Sequence, residues 1–137
     1  MPLWYYVTMH ATKLRETTRI LICEDDPAQL EWLDKSLNER GFEVDVAQDG
    51  DEAFSKWKLD GPYDLVITDF EYPGRTIRNG LELITAIRTI DSLQAFVVQT
   101  SDRNLTAPLG VPLFHKPYPI RRLLNLMKTP VRPPAAG

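Results

Sequence analysis

The chain has 137 residues, 43% of them hydrophobic, which is enough for one domain with a real core. A net charge of -3 gives no basic footprint for nucleic acid. No apolar run approaches the ~18 residues of a membrane span, and the lone cysteine, Cys23, excludes an internal disulfide.

Residues 1–18 show no period and are expected to form an N-terminal extension. Met1 to His10 has no cationic start and only a short apolar stretch, so no signal peptide is expected. Trp4, Tyr5 and Tyr6 could pack on the domain or stay loose, and Met9 is an alternative start. From Arg19 short apolar runs alternate with segments of helical period, which argues for β-α units and a parallel sheet over residues 19–129.

Strand one reads Arg19 to Cys23. A helix follows from Pro27, a good first-turn residue, with Leu30, Leu33 and Leu37 inward and Gly41 past its end. Phe42, Val44 and Val46 alternate with Glu43 and Asp45 as a half-exposed second strand would. Asp49-Gly50 turns into a helix with Ala53, Phe54 and Trp57 inward, ended by Gly61-Pro62. Strand three is Asp64 to Thr68; a long loop leads to a third helix carried by Leu83, Ile84, Ile87 and Ile90. Strand four is Ala95 to Thr100 and strand five Val111 to His115. The last helix runs from Pro119 to Met127, with Ile120, Leu123, Leu124 and Met127 on one face. The tail 130–137 holds three prolines and is expected to be disordered. Between strands four and five only Ser101 to Gly110 is available, with Pro108 and Gly110 inside it. A parallel crossover normally takes a dozen residues or more, so the helix there is expected to be short or missing.

Chemistry collects at the strand ends. Glu24-Asp25-Asp26 follows strand one, Asp69 strand three, Thr100 closes strand four and Lys116-Pro117 follows strand five. In an open parallel sheet these ends share one edge, where ligands bind. Crowded carboxylates raise one another's pKa, and a hard cation such as Mg²⁺, or Mn²⁺ in its place, resolves the conflict through oxygen ligands. Lys116 adds the charge, and Thr100 the hydroxyl, that a phosphoryl group needs, with Asp69 as nucleophile. Singly each feature has a plainer reading: Asp25 or Asp26 as a helix cap, Asp69 as a turn former, Lys116-Pro117 as a surface dipeptide. His115 alternates with Lys116, so it should face away from the site; with His10 far off and Cys23 in an apolar strand, no transition-metal site is expected.

The combination resembles the receiver domain of bacterial response regulators. The matching stretches are Ile20 to Pro27, Asp64 to Asp69, Pro73-Gly74 with Gly80 to Leu83, Val97 to Ser101, and Lys116-Pro117. The resemblance implies an α/β, flavodoxin-like doubly wound five-stranded parallel sheet of order 2-1-3-4-5. It implies that Asp69 accepts a phosphoryl group from a sensor histidine kinase or a histidine phosphotransfer protein. It further implies Mg²⁺ held by Asp25, by Glu24 directly or through water, by Asp69 and by the backbone carbonyl of Glu71, with Lys116 and Thr100 on phosphoryl oxygens. Glu71 and Asp102 would flank the attacking water and tune hydrolysis; an unchanged dephosphorylation rate on neutralising both would refute that. A cytoplasmic switch acting through an unknown downstream protein is implied, with no membrane or direct DNA contact, since the residues after Met127 leave no room for a DNA-binding domain. Self-association into a homodimer is compatible with the resemblance.

The chain also departs from the pattern. Glu24 stands where Asp is commoner, Arg75 to Asn79 enlarges a loop of usually two residues, and Leu113 takes a position often held by a switching aromatic. The shortened crossover and Leu113 leave room for a phosphorylation-independent interaction module. A phosphatase of the haloacid-dehalogenase type shares the strand-end Asp, but there the motif belongs to an early strand.

Overall fold

A computed structural model describes residues 17–128 apart from Pro73. The N-terminal extension up to residue 16 and the tail 130–137 lie outside the described residues. The strands are β1 (Arg19–Cys23), β2 (Glu43–Ala47), β3 (Leu65–Asp69), β4 (Phe96–Thr100) and β5 (Leu113–His115). The helices are α1 (Pro27–Asn38), α2 (Gly50–Asp60), α3 (Gly80–Ile90) and α4 (Ile120–Lys128). All neighbouring strands pair in parallel, in the order β2-β1-β3-β4-β5. The chain therefore has the expected flavodoxin-like, doubly wound sheet.

Strand alternation divides the core into two layers. Ile20, Ile22, Ile67, Val97 and Phe114 face Leu33 and Leu37 of α1 and Leu123 of α4. Leu21, Cys23, Val66 and Val98 face Ala53 and Trp57 of α2 and Leu83, Ile84 and Ile87 of α3. Both faces of the inner strands are covered, which is why these strands read as unbroken apolar runs. The half-exposed β2 alternates because it is an edge, and Asp45 there accepts a hydrogen bond from the Tyr63 hydroxyl (2.6 Å).

Side-chain caps start the first three helices. Asp26 Oδ1 accepts the Ala28 N–H (3.1 Å), Asp49 Oδ1 that of Glu52 (2.8 Å) and Asn79 Oδ1 that of Glu82 (2.9 Å). Asp26 thus takes the capping role, which frees Asp25 from it.

The crossover between β4 and β5 contains only a 3₁₀ turn, Pro108–Gly110, in which Leu109 has φ 52° and is exposed. This short turn also trims β5. The Val111 N–H bonds back to the Pro108 carbonyl (3.0 Å), and sheet pairing begins only where the Pro112 carbonyl accepts the Val98 N–H (2.9 Å). The strand therefore starts two residues later than the apolar run. Ile90 also departs from expectation: it keeps the helical period yet is 60% exposed. It is the last residue of α3, and at that end the buried Gln94 takes the Trp57 indole N–H (2.8 Å) and the Tyr63 N–H (3.0 Å).

Candidate functional site

The register brings the reactive residues into one row. Cys23 lies opposite Ala47 and Thr68, Asp69 opposite Gln99, and Thr100 opposite His115. One residue beyond β1, Glu24 continues the ladder through its N–H to the Ala47 carbonyl (3.0 Å). Lys116 does the same beyond β5, its N–H reaching the Thr100 carbonyl (2.7 Å). Parallel pairing thus delivers residues from four chain segments to one edge.

At that edge, carboxylate oxygens of Glu24, Asp25 and Asp69 all lie within 4.8 Å of one another. Glu24 is fully buried and Asp69 nearly so, whereas Asp25 is exposed. The Lys116 ammonium bridges the buried pair, 2.8 Å from Asp69 Oδ1 and 3.3 Å from Glu24 Oε2. Burial pushes the Asp69 carboxyl up to about 7; the Lys116 hydrogen bond pulls it back, and the Glu24 charge adds to the rise. Burial alone would lower the Lys116 pKa, but its bonds and attraction to Asp69 and Glu24 hold it above the usual lysine value. One ammonium faces three carboxylates, so the cluster has a surplus of negative charge that a cation would neutralise. The donor set is hard oxygen, open to solvent on the Asp25 side, and therefore fits Mg²⁺.

The loop after β3 turns back at an antiparallel bridge between Glu71 and Asn79. The bond beside it runs from the Gly80 N–H to the Phe70 carbonyl (2.7 Å), leaving the Glu71 carbonyl outside that bond. A Cβ on Gly80 would stand 2.7 Å from the Asp69 carbonyl oxygen, so this close approach requires glycine. Thr100 is buried on the same edge, where its hydroxyl accepts the Asp102 N–H (3.0 Å). The Glu71 and Asp102 side chains are exposed. The half-buried His115 has a buried Nε2 with no partner among the described residues. Leu113 packs against the α2–α3 layer.

This geometry agrees with comparisons to known proteins. Residues 20–108 match the family model described as response regulator receiver domain. The chain belongs to the response regulator receiver domain family. The response regulator MprA of Mycolicibacterium vanbaalenii is 33% identical over 120 residues, covering 83% of this chain and 50% of its own length. The transcriptional regulatory protein CpxR homolog of Haemophilus influenzae is 28% identical, covering 84% of this chain and 51% of its own length. The receiver domain thus spans about half the length of these curated relatives. Among solved structures, TrrA of Thermotoga maritima, in complex with Mg²⁺-BeF, superimposes with a TM-score of 0.73 at 32% identity, over 82% of this chain and 97% of that one. A CheY-like receiver domain from Methylobacillus flagellatus gives 0.72 at 25% identity, over 82% and 98%. The matched residues of this receiver domain reach from β1 to the β4–β5 crossover and include Glu24, Asp25, Asp69 and Thr100.

Two residues at or beside the site escaped sequence reasoning. Gln99 is fully buried in β4; its amide N–H bonds Glu24 Oε2 (3.0 Å) and its amide oxygen accepts from the Tyr118 hydroxyl (2.5 Å). The amide inside the run Phe96-Val97-Val98-Gln99 was the only available signal. Asp51, at the start of α2, accepts consecutive N–H groups from Arg75 (2.9 Å), Thr76 (3.3 Å) and Ile77 (3.2 Å) of the enlarged loop. An acid in a first helical turn gives no sequence sign of that role.

Proposed function

We propose that this receiver domain is a phosphoacceptor switch of a two-component phosphorelay, with Asp69 as the residue modified. The observation that carries this reading is the Lys116 ammonium held between the buried carboxylates of Asp69 and Glu24, with Asp25 beside them. A phosphohistidine of a sensor histidine kinase or histidine phosphotransfer protein is the donor. An Asp69 oxygen forms a bond to phosphorus as the donor's N–P bond breaks, and the freed imidazole nitrogen takes its proton from water. Lys116 turns from the carboxylates to a phosphoryl oxygen, and the Thr100 hydroxyl takes another. Glu24, Asp25, Asp69 and the Glu71 carbonyl would hold Mg²⁺, or Mn²⁺ in its place, which would supply positive charge beside the transferring group. The product is an aspartyl-phosphate whose lifetime sets the duration of the signal.

On this reading the domain works in the cytoplasm; no helix among the described residues is long and apolar enough to cross a membrane. A second reading, a phosphorylation-independent interaction module, draws support from the short β4–β5 crossover and from Leu113. Acetyl phosphate with and without Mg²⁺, on wild type and Asp69→Asn, separates the two by intact mass. One added phosphoryl group, dependent on both Mg²⁺ and Asp69, is expected. No adduct on the wild type, together with no Mg²⁺ binding, would favour the interaction module.

A further inference from the structure

Glu24 is the only fully buried carboxylate of the cluster, and protein donors meet both its oxygens. Its oxygens are unequally engaged. Oε1 accepts the Asp26 N–H (3.1 Å), while Oε2 accepts both Lys116 Nζ (3.3 Å) and Gln99 Nε2 (3.0 Å). Lys116 is shared with Asp69 and is the group proposed to move to a phosphoryl oxygen. Gln99 is then the side-chain donor that stays with Glu24.

The Gln99 amide has its own partner. Tyr118 opens the segment that leads into α4 and is 6% exposed. Its ring packs edge-on against Trp32 of α1 (5.8 Å) and Phe114 of β5 (5.1 Å), and its hydroxyl donates to Gln99 Oε1 (2.5 Å). With that bond made, the amide NH₂ must face Glu24. The flipped amide would set its oxygen against a carboxylate oxygen and lose the Glu24 bond. The other β4 residues facing the core, Phe96, Val97 and Val98, are apolar. A buried amide among them costs stability unless both its ends are satisfied, and here one end is satisfied by a carboxylate of the acid cluster.

We infer that Gln99 and Tyr118 are positioning residues for Glu24: the Tyr118 hydroxyl orients the Gln99 amide, and the amide holds the buried carboxylate ready for a divalent cation. This rests on the reading of the acid cluster as a metal site. Outer partners of metal ligands act in this way, and their loss commonly weakens binding tenfold or more.

Calorimetric titration with Mg²⁺ alone tests it on the full chain, comparing wild type, Gln99→Leu, Tyr118→Phe, Glu24→Gln and the Glu24→Gln/Gln99→Leu pair. Gln99→Leu is expected to weaken binding about tenfold, and Tyr118→Phe by less in the same direction. In the Glu24→Gln background Gln99→Leu should cost nothing further, which a general loosening of the core would not produce. Tyr118→Phe removes one hydroxyl and keeps the ring packing, so it decides the matter if Gln99→Leu does not fold. Wild-type binding with both single variants within twofold of it would overturn the inference while leaving the metal site standing. An equal loss in the Glu24→Gln background would also overturn it. Absence of Mg²⁺ binding by the wild type would overturn the metal-site reading and this inference together.

Discussion

At the residue scale the balance of burial and charge at Asp69 dominates. Its carboxyl is pushed from the ordinary 3.8 up to about 7, first by burial and then by the Glu24 charge. The folded protein therefore binds this proton more tightly than the unfolded chain does. The stability this contributes is fully present below about pH 4 and is lost as pH rises through 7. In metal-free buffer at pH 8, Asp69→Asn should be the more stable protein by on the order of 1 kcal/mol. At pH 5 the difference should shrink. Urea melts at the two pH values check this, and a less stable variant at pH 8 would contradict the clustered site. Asp69, Asp25 and Lys116 were legible in the sequence because each follows an apolar run, and a strand end is a fixed place. Gln99 was not, because a polar residue within such a run looks the same whether its amide faces a loop, water or a buried carboxylate.

At the scale of elements, the enlarged loop shows how a helix start can shape a neighbouring segment. Asp51 gathers three successive N–H groups, and those bonds hold its carboxyl below the usual carboxylate range. Ile77 is buried against the α2 start, where a Cβ on Gly50 would stand 2.5 Å from Ile77 Cγ2. Arg78 of this loop pairs with Glu82 at 3.2 Å at the start of α3 rather than with Asp69. Asp51→Ala should release the loop without unfolding the domain. Amides 75–77 are expected to exchange tenfold or more faster while those of β3 keep their protection. Unchanged exchange at those amides would show that the Ile77 packing holds the loop by itself. The loop's length was readable in the sequence; its anchor was not, because the acid lies 24 residues before the first amide it accepts.

For the whole molecule, cation binding and folding should be linked. A ligand present at 100 times its dissociation constant stabilises by about 2.7 kcal/mol, which moves the melting point of a domain this size by several degrees. Asp25 is exposed and outside both cores, so Asp25→Asn tests the linkage without disturbing packing. Mg²⁺ is expected to raise the melting temperature of the wild type and to have little effect on Asp25→Asn. An equal rise in both would place the cation elsewhere. The shortened β4–β5 crossover belongs to this scale too. Among the described residues it leaves β5 three residues long, with a 3₁₀ turn where a further helix would otherwise cover the α2–α3 side of the sheet.

Taken alone, the order of apolar runs, their turn signals and the acids and lysine that follow them determined the sheet, its winding and the candidate phosphoacceptor edge. These are local patterns: strand and helix periods, caps and strand ends are written in neighbouring residues. The tertiary structure decided which donors Glu24 receives, where the enlarged loop is anchored, how far β5 extends and that Ile90 meets solvent. Each of these depends on groups far apart in the chain, Gln99 with Glu24 and Asp51 with Arg75, whose meeting follows from parallel register and packing.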